Sequence, residues 1–358
     1  MTKNDMRCIA RERRPFEYQY GFMLTPFERR GQHTILTTRR YHTWRVIGSD
    51  SGGGLSLGLV DLARRLNGHK NSNGETSMPL LWAVAPRNHN TEGPFCASLA
   101  DRFGTVPPMS SEVRRTWLMR QGKRCHVDTI VVDNAQWIAE AHVMYIMEFA
   151  DTVEIATGGR RIAVVFLCST VDGLVSLKEK FEKPGSHWQQ VRERLSPEWP
   201  YEFVAGHTAT ELDEVCGGFE DMYRPQLPDL NLVDHSGLLF EMLSVPLFDT
   251  DVAKRAAMIN NGANGGKRVA MRHVTNVINS AVESAYYLGR NDVDAEILVA
   301  AAEVQAKGRT VIHLLENEPV RIDPFVLNVD GEPEDMDPIV FDGDGGRMIG
   351  ESHREVAG

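Results

Sequence analysis

A run of small residues, Gly48-Ser-Asp-Ser51-Gly52-Gly53-Gly54, stands between an apolar stretch (HTWRVI, 42–47) and a segment with apolar residues at helical spacing (LSLGLVDLARRLN, 55–67). Strand, glycine-rich turn and helix is the arrangement in which main-chain N–H groups and a helix N-terminus point at phosphate oxygens. The candidate cradle is Gly48, Ser51, Gly52, Gly53, Gly54, Leu55 and Ser56, with the Ser56 hydroxyl also a candidate metal ligand. A glycine-rich turn serves equally well as a plain tight turn, so the phosphate reading needs support from elsewhere. Some eighty residues on, the apolar run TIVV ends in Asp133 and Asn134. An apolar strand ending in Asp is how phosphoryl-transfer folds present a carboxylate to Mg²⁺. A third apolar run, AVVFLC, ends in Ser169 and Thr170, two further candidates for contact with a cofactor.

The elements that would position these residues alternate. Strands are expected at 42–47, 79–85, 127–132, 161–168 and 201–205, with helices at 55–67, 93–103, 110–121 and from the third strand to about 150. Alternation of this kind predicts a mostly parallel sheet covered on both faces. After about residue 230 the strands are expected to stop. Helices are expected at 235–247, 250–261, 266–289 and 292–307, with the break NNGANGG (260–266) between two of them.

The chain has 358 residues, 42% apolar and 25% charged, which suits one or two globular domains. No apolar run approaches the ~20 residues that a membrane span requires. The basic, polar start has no secretory character. Five scattered cysteines (Cys8, Cys96, Cys125, Cys168, Cys216) show neither zinc spacing nor an even count, as expected for reduced thiols in a cytoplasmic protein. The net charge of −10 is concentrated in a Gly- and Pro-containing tail, Glu316 to Gly358, with twelve acidic against three basic residues. That tail is expected to be disordered. The first 45 residues carry Arg7, Arg11, Arg13, Arg14, Arg29, Arg30, Arg39, Arg40 and Arg45. A basic arm of this kind suits DNA phosphates, or docking on the acidic tail or on a neighbouring chain.

Taken together, these segments resemble the AAA+ transposition regulators of the TniB/TnsC type, related to the phage Mu B protein. The resemblance covers roughly residues 20–310. PLLWAVAPRNHNTEGPFCASLADRFG (79–104) is similar to the family's second strand, polar loop and helix. Val-Val-Asp133-Asn134-Ala-Gln-Trp resembles its Walker B segment, and Cys168-Ser169-Thr170 its sensor 1. Arg-Glu-Arg194-Leu-Ser-Pro resembles the segment bearing a trans-acting arginine finger. Gly265-Gly-Lys-Arg268 and the helix after it resemble sensor 2. The resemblance implies a P-loop NTPase domain at 41–230 with a parallel sheet between helices, a helical lid at 231–315 and the acidic tail at 316–358, preceded by a basic arm at 1–40. It implies ATP and Mg²⁺ as cofactors, with Asp133 on the metal, Asn134 and Arg194 at catalytic positions and Arg268 near phosphate. It also implies a ring or filament on double-stranded DNA that recruits a transposase.

The departures bear on activity. Aligned on Gly48 and Gly53, the pattern G-x-x-x-x-G-K-[ST] has Gly54 in place of lysine and Leu55 in place of the hydroxyl residue, though Ser56 follows. A charge-assisted contact worth ~1.5–3 kcal/mol is thereby missing. Asn134 stands where a carboxylate would polarise water, and an amide cannot accept that proton. Weak nucleotide binding with little or no hydrolysis is the leading expectation. The chain would then act through a homo-oligomer or beside an active paralogue. The alternatives are an active ATPase that borrows a cation, from Arg45 or from a neighbouring subunit, and an interaction module with neither nucleotide nor DNA. Histidines 126, 142, 187, 207 and 273 lack ligand spacing and are expected to be structural or exposed.

Overall fold

The computed structural model describes residues 16–17, 23–49, 54–70, 74, 76–87, 91–156, 159, 161–169, 171–246 and 267–306. The apolar runs become five parallel strands: β1 (Trp44–Ser49), β2 (Leu80–Val84), β3 (Thr129–Asp133), β4 (Ala163–Cys168) and β5 (Tyr201–Val204). Their order is β2-β3-β4-β1-β5. The most apolar of them, β1, β3 and β4, are buried along their whole length and lie inside the sheet. That is the pattern of strands covered on both faces.

Successive residues along each strand serve opposite layers. Val46, Leu81, Ile130, Val132, Val164 and Phe166 face one core. It is completed by α3 (Glu92–Ala100), α4 (Ser111–Arg124), α5 (Glu140–Ala156), α6 (Val171–Glu182) and α7 (Ser186–Arg194), which bring Phe95, Leu118, Phe149, Leu174, Phe181 and Val191. Ile47, Leu80, Val131, Val165 and Leu167 face the other. There they meet Phe27 and Ile35 of α1 (Pro26–Tyr41) and Leu59 and Leu62 of α2 (Leu55–Leu66). Burying a large apolar side chain stabilises by about 1.5–3 kcal/mol, so the two layers carry most of this half's stability.

Helix α1 begins where Thr25 and Glu28 form a reciprocal capping box with Pro26 at the first helical position. It packs on the sheet, so the expected arm does not extend to residue 40. Arg29 pairs with Glu214, Arg30 with Glu211, Arg39 with Asp128 (2.7 Å) and Arg45 with Glu202 (3.4 Å). Phe16 is also packed, stacking on Tyr223 at 5.7 Å. Arg7, Arg11, Arg13 and Arg14 lie outside the described residues.

A second core joins α8 (Ala209–Tyr223), α9 (Ser236–Leu243), α10 (Met271–Tyr287) and α11 (Ala295–Ala306) through Leu212, Phe219, Leu239, Val274, Ile278 and Leu298. Packing thus changes partner between Val204 and Ala209, earlier than the expected boundary at 230. Strands do not stop there either: β6 (Val245–Pro246) pairs antiparallel with β7 (Lys267–Arg268), and His207 bridges to Val269. Two-residue strands carry no periodicity for a sequence to show. The helix expected at 250–261 and the acidic tail at 316–358 lie outside the described residues. Among the described residues no helix is long and apolar enough to cross a membrane.

Candidate functional site

Parallel register sets the site. Gly48 lies beside Cys168 on one side and Phe203 on the other, and Asp133 lies beside Val84. The carboxyl ends of β1, β3 and β4 therefore share one edge, which is where open parallel sheets bind ligands. Gly48, Asp133, Asn134, Ser169 and the start of α2 meet there. Ser51, Gly52, Gly53 and Thr170 lie outside the described residues. Gly48 has a packing reason to be glycine: a Cβ there would stand 2.8 Å from the Cβ of Leu174 on α6.

Helix α2 starts at Gly54, which caps it with φ +93° and ψ 4°. This left-handed conformation suits glycine. Leu55, the first helical residue, is 8% exposed and turns into the core with Phe27 and Leu59. Ser56, the next, is exposed. Neither position 54 nor 55 thus offers a cation to a phosphate. Position 54 is also crowded. A Cβ on Gly54 would lie 2.5 Å from Oε1 of Glu28, and one on Gly58 would lie 3.2 Å from the Glu28 Cβ. A Cβ on Gly31 of α1 would collide with Leu55. Glycines on both helices let α1 and α2 approach closely, with the Glu28 side chain laid along the first turn of α2.

Glu28 is 3% exposed, and its Oε2 accepts a hydrogen bond from the Thr25 N–H at 2.8 Å. Burial pushes its carboxyl up to about 7, against the lowering effect of the bonds at Thr25, and Asp61 pushes it further. Glu28 has no role in the sequence reading above, since its one local pattern, Thr-x-x-Glu, is that of a helix cap. Its place beside Gly54 depends on a helix crossing.

At the end of β3, Asp133 is buried, and its Oδ1 accepts from the Asn134 N–H at 2.8 Å. Asn134 has φ 53° and ψ 38° and begins a 3-10 turn, Ala135–Trp137. Asn is among the few residues that adopt this left-handed conformation readily. The turn aims Gln136 at β4. Its Nε2 donates to the Ser169 hydroxyl at 2.6 Å and its Oε1 accepts from the Ser169 N–H at 3.3 Å. Gln136 was quoted in the sequence segment but given no role. Cys168 is no nucleophile, since burial above all pushes its thiol up to about 12. Lys180 donates to the Ile138 carbonyl at 2.7 Å, and burial lowers its pKa.

The other candidates lie elsewhere. Arg194 is at the opposite, amino edge of the sheet. It contacts both oxygens of Asp151 at 2.9 and 3.1 Å and lies over the Trp44 ring at 5.7 Å. Arg268 is on β7 opposite Val245, not at the start of a helix, because α10 begins only at Met271. Arg45 is 7% exposed and pairs with Glu202 at 3.4 Å, so the cation proposed for an active loop is turned toward β5. Lys70 follows the far end of α2, whose twelve residues span about 18 Å. His142 is fully buried between the Ala139 N–H and the Thr91 carbonyl, as expected of a structural histidine.

Among the described residues there is no group of three or more His, Cys, Asp or Glu side chains placed to hold a metal. Among the described residues, Asp133 and Ser56 are the candidate oxygen ligands for Mg²⁺, while positions 54 and 55 bring no cation and the Glu28 carboxyl lies beside them. The residues fit a magnesium triphosphate only in part.

The sheet order, the glycine-capped α2 and the following helical layer define an α/β P-loop NTPase fold of the AAA+ kind. The ORC2 protein of Aeropyrum pernix, solved in ADPNP-ADP complexes, superposes with a TM-score of 0.53 at 13% identity, covering 80% of this chain and 69% of that one. The Cdc6p protein of Pyrobaculum aerophilum gives 0.52 at 12% identity, covering 81% and 69%. Identities this low speak for the fold alone. No family model matches the chain, and no curated protein matches it in sequence.

Proposed function

We propose that this chain is a regulatory or scaffolding protein of a DNA-transposition or target-selection system, built on the AAA+ fold and degenerate as an ATPase. The observation that carries the reading is the start of α2. Gly54 and Leu55 bring no cation to the carboxyl edge, and Glu28 lies where a lysine side chain would begin. At the companion position Asn134 supplies an amide to the edge where a general base would be needed. Asp133 and Ser56 leave room for weak nucleotide binding without turnover.

In this reading the protein works by assembling with copies of itself or with an active paralogue, on double-stranded DNA, to present a surface to a transposase. Arg194, at the opposite edge from Asp133, would meet a neighbour's nucleotide. Arg268 would approach phosphate from the helical half. DNA contact rests on Arg7, Arg11, Arg13 and Arg14, beside Arg40 on α1, since Arg29, Arg30, Arg39 and Arg45 are held in ion pairs within the chain. The test is purified protein with Mg·ATP and duplex DNA. No steady hydrolysis is expected, together with DNA binding that weakens steeply with salt and is lost when those four arginines become alanine. Steady hydrolysis abolished by Asp133→Ala would overturn the degenerate reading, and salt-independent or absent DNA binding would favour a pure interaction module.

A further inference from the structure

We infer that Glu28 is a specificity-determining residue of the nucleotide edge: its carboxylate weakens triphosphate binding in its own right, beyond the loss of the lysine. The inference rests on the reading of that edge as a nucleotide site and deepens it.

The geometry sets Glu28 against any side chain at 54, since the carboxyl would have to swing away from Thr25 to admit one. The Glu28 carboxyl lies along Gly54 and its Cβ lies against Gly58, both on one face of α2. The same crossing is tightened by Gly31 against Leu55. Any side chain at 54 must therefore displace the carboxyl and also adopt φ +93°. The exchange is one of charge as well as shape. Positions 54 and 55 bring no cation that would attract phosphate, and a group that repels it when ionised stands against the first turn of α2. That group is 3% exposed, so little water screens it. No ion pair of Glu28 is found among the described residues, while Asp61 adds charge of the same sign nearby.

The competing explanation is that Glu28 only caps α1. Capping needs an acceptor for the Thr25 N–H, and a glutamine amide oxygen supplies one as well as a carboxylate does. Glu28→Gln therefore keeps the cap and removes the charge, which separates the two roles.

The experiment is calorimetric titration of the full-length protein with Mg·ATP, for wild type, Glu28→Gln, Gly54→Lys and the double variant Glu28→Ala/Gly54→Lys. Thermal unfolding is followed in parallel. Expected are folded Glu28→Gln protein that binds Mg·ATP about tenfold more tightly than wild type, Gly54→Lys protein that is poorly folded, and a double variant that binds more tightly than Gly54→Lys but stays less stable than wild type, because the Thr25 cap is lost and position 54 still has φ +93°. Equal affinity in wild type and a folded Glu28→Gln protein overturns the inference. So does Gly54→Lys protein that folds and binds as well as the double variant, and so does the lack of detectable binding by every variant. Turnover by wild type is a separate result, which sinks the degenerate-ATPase reading without deciding the affinity comparison.

Discussion

The side-chain amide of Gln136 holds Ser169 at two points, donating to its hydroxyl and accepting from its main-chain N–H. Through this clip the turn after β3 and the end of β4 become one surface beside Asp133. Gln136→Ala leaves both Ser169 groups without that partner. Both residues are only half-buried, so water can replace part of what is lost. A destabilisation of about 1 kcal/mol in urea unfolding is expected. Gln136→Glu should cost more through charge: the Ser169 hydroxyl can turn to donate to the carboxylate, but a second negative charge then stands near Asp133.

Asn134→Glu, the substitution that formally restores a general base, should not restore hydrolysis. The left-handed backbone at 134 penalises a glutamate by roughly 1–2 kcal/mol relative to a residue that tolerates it. Asn134→Gly should be neutral or slightly stabilising. Urea unfolding of the two variants, with ATP turnover measured on each, checks both statements.

Arg194→Ala removes a bidentate contact to Asp151 and a cation over Trp44, both at a partly solvated edge. The isolated chain should lose no more than about 1 kcal/mol. If that edge meets a neighbour, assembly should suffer more than folding does. Sedimentation velocity beside thermal unfolding separates the two effects.

Two buried groups give opposite pH dependences. His207 is fully buried, its ring nitrogens have no hydrogen-bond partner among the described residues, and it lies 5.9 Å from the Phe27 ring. Burial lowers its pKa to about 4, with Arg30 lowering it further and Glu211 and Glu214 opposing. The unfolded chain binds this proton more readily, so His207 makes stability rise with pH between about 4 and its ordinary 6.5. Glu28 is raised from 4.5 to about 7, so the folded chain binds its proton more readily and stability falls with pH across that window. Each effect is on the order of 1–3 kcal/mol. The two oppose each other where their windows overlap, between about pH 4.5 and 6.5. Glu28→Gln should expose the rising limb and raise stability at pH 8, whereas His207→Leu should expose the falling limb. Urea unfolding from pH 4.5 to 8 reads both slopes.

The sequence by itself determined the sheet and marked candidate residues at its carboxyl edge. WRVIG, TIVVD and AVVFLC are apolar and β-branched over enough residues to be read as buried strands, and each became one. Asp133, Ser169 and the glycine turn were found because they sit where such runs end. The small strands β6 and β7 were missed, since two residues have no period, and Arg268 was placed on a helix for the same reason. Tertiary structure alone decided which charges are free. Arg30 and Glu211 are far apart in the chain, as are Arg45 and Glu202, and nothing local marks them as partners. It also decided why position 54 is glycine. The sequence shows a missing lysine, but the carboxyl that takes up its space arrives from another helix, and only the crossing of α1 on α2 brings the two together.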